Sequence, residues 1–243
     1  MTQKPCSYLF FLFCFALGFA ILPCKTEAQN RAMINLPSYE FDQIHFGFSL
    51  GINSANFVTS PRTMHDSVLT VLSKPEAGFT IGIVGEYAFH RYLTLRFLPS
   101  FAVAQRDLDY TVETRYGTGL FTKKIESYFL DFPLDLKLRS ARMDNFAAFV
   151  IAGGKYTIDL ASQTNVNNSA LSTDQQVVKL QRIDWGYEMG GGVEFYLPYF
   201  KLGIEGKLSL GFKNLLIHDN TIFSNALQSL YSKMFLLSFT FEG

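Results

Sequence analysis

Hydrophobic and polar positions alternate without exception over residues 44 to 53. Ile44, Phe46, Phe48, Leu50 and Ile52 fall on one face, and His45, Gly47, Ser49, Gly51 and Asn53 on the other. A period of two sustained over about ten residues predicts a β-strand. The pattern returns at 78–89, 92–104, 126–138, 183–195, 201–212 and 235–241, and a strand-like run at 146–158 has ambiguous parity. Eight strands are expected. The connections around 54–77, 105–125, 159–182 and 213–233 are long, and those near His90, 139–145 and 196–200 are short.

An even strand count with alternating long and short connections is the signature of an outer-membrane barrel. A soluble eight-stranded barrel of the lipocalin kind alternates too, so the composition of the two faces decides. Charged residues share their face with Gly, Ser and Ala, while Leu and aromatics hold the other. Small side chains are needed where strands converge on a narrow interior, which eight strands just fill. The charged face therefore points inward and the apolar face meets lipid, where ring closure removes open strand edges. The fold class expected is all-β, an eight-stranded antiparallel up-and-down transmembrane barrel with long extracellular loops and short periplasmic turns.

Aromatics cluster at strand ends (Phe41, Tyr87, Phe89, Tyr92, Tyr128, Tyr196, Tyr199, Phe200, Tyr231), as interfacial girdles do. Pro99 and Pro133 fall inside strands. Because each lacks an N–H, both are read as bulges, beyond which the face parity of Asp135 and Lys137 would flip.

Composition narrows the class further. Of 243 residues, 16% are aromatic, and 21 Lys and Arg balance 21 Asp and Glu. A balanced, aromatic-rich chain is neither disordered nor built for nucleic acid. The start reads as a signal peptide: Lys4, an apolar run from 8 to 22, and small residues at Thr26 and Ala28. The expected organisation is a signal peptide at 1–28, a periplasmic lead-in at 29–43 and the barrel at 44–243. Cys6, Cys14 and Cys24 leave with the signal, which excludes thiol and cysteine–metal chemistry from the mature chain.

Candidate chemistry concentrates on the inward face. Glu86, Asp131, Asp135, Asp184, Glu188, Glu194 and Glu205 stand against Arg96, Lys137 and Lys207. Buried charges must be paired, so the expectation is a lumen charge network with a structural role. Two loop pairs, His65-Asp66 and His218-Asp219, with Ser60 and Ser67 nearby, offer a minor alternative: a hydrolase at the outer rim. Gly190-Gly191-Gly192 lacks the lysine and helix of a phosphate loop and fits a strand with small inward positions. No catalytic, cofactor or metal residue is assigned. The expected partners are outer-membrane lipid and other proteins, with no nucleic acid and no small-molecule substrate.

Particular residues carry a resemblance that periodicity does not. The run Ile44-His45-Phe46-Gly47-Phe48-Ser49-Leu50-Gly51-Ile52-Asn53, after Leu36-Pro37-Ser38-Tyr39, resembles the start of mature PorT proteins of Bacteroidetes. Tyr128-Phe129-Leu130-Asp131-Phe132-Pro133-Leu134-Asp135-Leu136-Lys137 is similar to a strand of the broader PorT-type barrel family. So are Asp184-Trp185-Gly186, the run from Gly190 to Phe195, and Gly211-Phe212-Lys213-Asn214. The chain departs from the pattern at Asp135, and Phe241 is followed by Glu242-Gly243. The resemblance to the PorT/SprT family implies a non-enzymatic outer-membrane component of the type IX secretion system. That system exports proteins with C-terminal sorting domains and is linked to gliding motility. The family supplies no catalytic residue. The alternative is a general structural or adhesive barrel of the broad family.

Overall fold

The computed structural model describes residues 34–61, 68–114, 117–162, 164, 176–219 and 221–243. The signal-peptide expectation, the first part of the lead-in and the His65-Asp66-Ser67 group lie outside them. Nine antiparallel segments form one sheet: β1 (Ile44–Pro61), β2 (Val68–His90), β3 (Leu93–Phe97), β4 (Ser100–Thr114), β5 (Gly117–Arg139), β6 (Phe146–Asp159), β7 (Ile183–Tyr196), β8 (Lys201–Gly211) and β9 (Leu227–Glu242). β3 and β4 share one position, between β2 and β5, so the ring has eight positions. β1 pairs with β2 on one side and with β9 on the other, which closes it.

Pro99 and Pro133 do not form bulges. The pairings Phe97↔Leu134 and Ser100↔Asp131 are in one register, as are Gly85↔Phe97 and Gly82↔Ser100. The two prolines lie on neighbouring strands, and the ladder lapses there without gaining a residue. Leu98 N still reaches Pro133 O at 3.4 Å, and Pro99 O accepts from Ile83 N at 3.0 Å. Parity therefore carries through, and Asp135 and Lys137 are buried inside. A register shift does occur in the interior of β2, where its pairing with β4 changes between Pro75 and Phe79. Gly78 sits there with no room for a Cβ, which would meet Val103 O at 2.0 Å.

The parity of β6 is settled by its neighbours. Ala147, Phe149, Ile151 and Thr157 are buried, and Ala148, Val150 and Ala152 are exposed. Phe149 fills the space opposite Gly192, whose Cβ would lie 2.7 Å from the Phe149 ring and 2.2 Å from Ile204 O. From Phe146 to Ala152 both faces of β6 are apolar, which is why alternation alone left it open.

Strands run further than the alternation suggests. The outward apolar band extends from Ile44 to Ile52 on β1 and from Tyr128 to Leu138 on β5. Ten residues at about 3.3 Å each, tilted by about 40°, span roughly 25 Å, the height of a lipid-facing band. Above it, β1, β2, β4, β5 and β9 continue as a collar. There the polarity inverts: Phe57, Leu108, Tyr110, Val112 and Leu230 point inward and form an apolar core with Leu180, Leu216 and Phe223. Tyr110 meets Phe223 edge-on at 5.0 Å. Phe223 rides on a single helical turn (Ile222–Asn225) whose start is capped by Thr221 Oγ1, accepting from Ser224 N at 3.2 Å. Gln181 N donates to Leu215 O at 2.8 Å and Leu215 N to Leu230 O at 2.9 Å, tying the later connections to β9.

Two consequences can be measured in detergent. The folded barrel should migrate differently from its boiled form on a denaturing gel. Gly192→Ala should lower stability by about 1–3 kcal/mol, as overpacking against backbone does. Gly206→Ala, whose Cβ has nothing nearer than the Phe235 ring at 3.9 Å, should leave stability unchanged.

Candidate functional site

The ten inward charges nominated from sequence are all buried: Glu86, Arg96, Asp131, Asp135, Lys137, Asp184, Glu188, Glu194, Glu205 and Lys207. Eight of them form one connected set. Lys137 Nζ donates to Glu86 Oε1 at 2.8 Å and stands 2.5 Å from Glu194 Oε1. Arg96 lies between Glu86, 3.7 Å from its Nε, and Glu205, which its Nη1 hydrogen-bonds. Lys207 closes the other half, at 2.8 Å from Glu188, 3.5 Å from Glu205 and 3.8 Å from Asp135. The Arg96–Glu205 contact joins the two halves. Asp131 stands apart, accepting from Thr157 at 2.6 Å with Lys155 at 3.5 Å. Asp184 is also apart, held by backbone N–H groups of Trp185 and Lys213.

The periplasmic mouth is covered by the lead-in. Arg142 holds the Asn35 and Leu36 carbonyls, and Asn35 N donates to Asn145 Oδ1 at 2.9 Å. These contacts carry Tyr39 over the opening, where it stacks on His45 at 3.8 Å and meets Tyr196 edge-on. The Tyr39 hydroxyl donates to Glu242 Oε2 at 3.1 Å, and burial pushes its pKa up, so it stays a neutral donor. Glu40 holds Arg91 at 3.0 Å beside it. A mixed-charge cavity of about 270 Å³ remains between the lead-in and the strand ends.

At the other end the collar core sits on top of the charge network. Arg106 marks the boundary, its guanidinium 4.1 Å from the Phe57 ring centre and 5.0 Å from that of Phe129. Outside the collar, Asp109 accepts from Lys74 and Thr122, each at 2.6 Å, which holds its carboxyl below the usual range. On the rim, His218 is exposed, and its neighbour Asp219 is engaged with Lys179 at 3.4 Å and with Thr221 at 2.9 Å. The carboxylate that would orient a general-base histidine is thus committed to other partners. Among the described residues no group of three or more metal-ligating side chains occurs.

The family described as "Outer membrane protein beta-barrel domain" matches residues 27–216. This chain belongs to that family. It is an outer-membrane β-barrel, embedded in the lipid that its apolar band faces. Solved structures similar to it include Ail, the attachment invasion locus protein of Yersinia pestis, in complex with the heparin analogue sucrose octasulfate. That pair shares 13% identity over 83% of this chain and 100% of Ail, with a TM-score of 0.39. Neisserial surface protein A shares 12% over 81% and 96%, TM-score 0.41. OprG of Pseudomonas aeruginosa shares 13% over 82% and 94%, TM-score 0.40. Among curated proteins, none matches the chain.

Sequence reasoning missed two members of this outer-membrane barrel's network. Lys201 lies within 2.6 Å of Glu242, 3.0 Å of Glu194 and 3.4 Å of Glu86, all of them buried. Both omissions were one step from a face already assigned. Lys201 continues Gly203, Glu205 and Lys207 on β8, and Glu242 continues Ser238 and Thr240 on β9. Glu242, which looked like a departure after the last aromatic, is the residue that pins the final strand to the mouth.

Because each Lys and Arg of the set serves more than one carboxylate, removing one carboxylate weakens the neutralisation of a buried base. Glu205→Gln should cost about 3–5 kcal/mol, because Arg96 loses the carboxylate that it hydrogen-bonds and keeps only Glu86 at 3.7 Å. The double change Arg96→Met with Glu205→Leu should recover most of that loss. The comparison is made from denaturant midpoints of the refolded protein in detergent, and equal midpoints for the wild type and Glu205→Gln would refute it.

Proposed function

We propose that this protein is a non-enzymatic outer-membrane component of type IX protein secretion, acting through the surfaces it presents on either side of the membrane. The observation that carries the non-conducting part is the filling of the lumen. Its membrane portion is occupied by paired charges, its periplasmic mouth is covered by Tyr39, and its outer end is stopped by an apolar core. Eight strands leave no aqueous channel once the interior is filled, so conduction of cargo through this chain is not its part. The assignment to secretion rests on the resemblance of residues 44–53 and 128–137 to the PorT/SprT family. In this reading residues 1–28 are removed on export.

A second reading has its own support. The collar is a platform raised above the bilayer and packed around an apolar core, which suits a general structural or adhesive barrel equally well. Deletion in the native host separates the two. Loss of this protein should reduce extracellular sorting-domain cargo by an order of magnitude or more, with recovery on complementation. Unchanged secretion with altered surface attachment would select the structural reading instead. In planar bilayers the refolded protein should show no stepwise conductance, and stable open channels would contradict a filled lumen.

A further inference from the structure

Among the described residues, the two non-glycine positions with positive φ are the two sides of one contact. Leu36, at φ 48°, lies in the lead-in, and Asp144, at φ 52°, lies in the turn between β5 and β6. Aspartate tolerates the left-handed region, but leucine rarely adopts it, and the following Pro37 restricts the Leu36 backbone further. Arg142 holds both sides. Its Nε donates to Asp144 O at 2.6 Å, its Nη1 to Leu36 O at 3.4 Å, and its Nη2 to Asn35 O and, at 3.0 Å, to Asn145 Oδ1. The guanidinium lies 3.8 Å from the centre of the Tyr196 ring, and Asn35 Nδ2 donates to Tyr196 O at 2.9 Å. A planar fork of this kind fixes several acceptors at once, which a point charge does not.

The lead-in sits lightly on what it covers. Its apolar anchorage is Leu36 and Tyr39 against Ala147 and Tyr196, while Ile34 and Phe41 are exposed. The cavity of about 270 Å³ stays open beneath it, with Glu40 Oε1 buried at its wall and Arg139 no nearer than 3.9 Å. The mouth needs nothing from the lead-in to stay intact. β1 pairs with β2 from Ile44 and with β9 from Gly47. Without Tyr39, Glu242 keeps Lys201 at 2.6 Å, and Glu86 keeps Lys137 at 2.8 Å, so no charge is stranded. Gln43 O is tied to Ala88 N at 2.8 Å, which places the first fixed point of the chain just after Asp42. Strained backbone, sparse apolar contact and an incompletely filled space are the marks of a segment that opens before the rest of its fold.

We propose that residues 34–41 are a releasable strap, hinged at Asp42 and latched by Arg142, which leaves the periplasmic mouth as a unit while the barrel stays folded. Release lets Leu36 relax to an ordinary backbone conformation. It also takes Tyr39 off Glu242 and off the His45 ring, and brings His45, Glu86, Glu194 and Lys201 within reach of the periplasm. The opening is one-sided, because the apolar core still stops the outer end. The inference is independent of any role in secretion.

The test uses the full mature chain refolded in detergent. Asn35 N, bonded to Asn145 Oδ1, and Tyr39 N, bonded to Leu36 O, report the strap; Ile83 N and Phe212 N, bonded to Pro99 O and Trp185 O, report the barrel. The two strap amides should open together, with protection roughly a hundredfold or more below that of the barrel amides. Arg142→Ala should lower it by roughly another tenfold and leave the barrel amides and the folded gel mobility unchanged. Access is read separately, with His45→Cys, since the mature sequence has no other cysteine. Adding Arg142→Ala to that background should speed its reaction with a charged, water-soluble thiol reagent by the same factor. Strap amides protected as strongly as Ile83 and Phe212 would overturn the proposal, because the lead-in would then leave only when the barrel unfolds. So would fraying in which Asn35 opens and Tyr39 does not, or thiol access that Arg142→Ala leaves unchanged.

Discussion

Everything in this barrel follows from the narrowness of an eight-stranded ring. Every second side chain of every strand must enter an interior that side chains just fill, while the others face hydrocarbon. The interior cannot hold a charge without its counterpart, and it cannot hold two large side chains at one level. The first demand produces the shared set in which Lys137, Arg96, Lys201 and Lys207 each serve more than one carboxylate. The second produces the pairing of Phe149 with the space over Gly192, and the contact of Gly190 with Gly206 O and the Lys207 stem. Glycines that resemble a phosphate loop in sequence are the small half of a packing pair.

Such a set of buried charges is a poor source of net stability, because desolvation offsets most of the attraction. Its value here is in specifying registry. A one-residue slip of any strand would send its charged row into lipid and its Leu and Phe row into the lumen. The network thus penalises misregistered rings on both faces at once. The lead-in adds to this at the mouth, where Tyr39 and Glu242 join the first and last parts of the barrel.

The membrane portion was legible because hydrocarbon outside and charge inside impose a strict period of two. The collar was not, and the reason is physical. Where a strand leaves the bilayer, its outside becomes wet and its inside becomes the apolar core, so the hydrophobic phase reverses while the backbone continues. On β4 the inward row passes from Arg96 and Ala102 on this ring position to Leu108, Tyr110 and Val112 with no bulge between. Read along the sequence, a reversal of phase looks like the end of a strand. Only β2 changes its backbone at that level, where the shift near Gly78 moves the inward positions from even to odd numbers. The proline reading failed for a related reason. A missing donor was expected to demand an extra residue, but two prolines at neighbouring sites let one gap in the ladder serve both.

The collar inverts the logic of the barrel in one further respect. Within the bilayer an open edge is prohibited, because no water is present to satisfy it, and every strand there is paired on both sides. Above the bilayer that prohibition lifts, and strand lengths are free to differ. β1 and β2 part above Ala55 and Glu76, with Ser73 Oγ bridging to Asn56 Oδ1 at 2.5 Å across the seam. β5 outruns β6 by a dozen residues with a cavity beside it. Soluble proteins blunt such edges with charge, bulges or a covering segment. The β1–β2 seam is closed by side chains in this way, and beside β5 the Leu180 carbonyl accepts from the Ser162 and Thr164 hydroxyls. Above the bilayer, closure of the ring therefore rests on side chains and on the connections that return to β9, and no longer on an unbroken ladder.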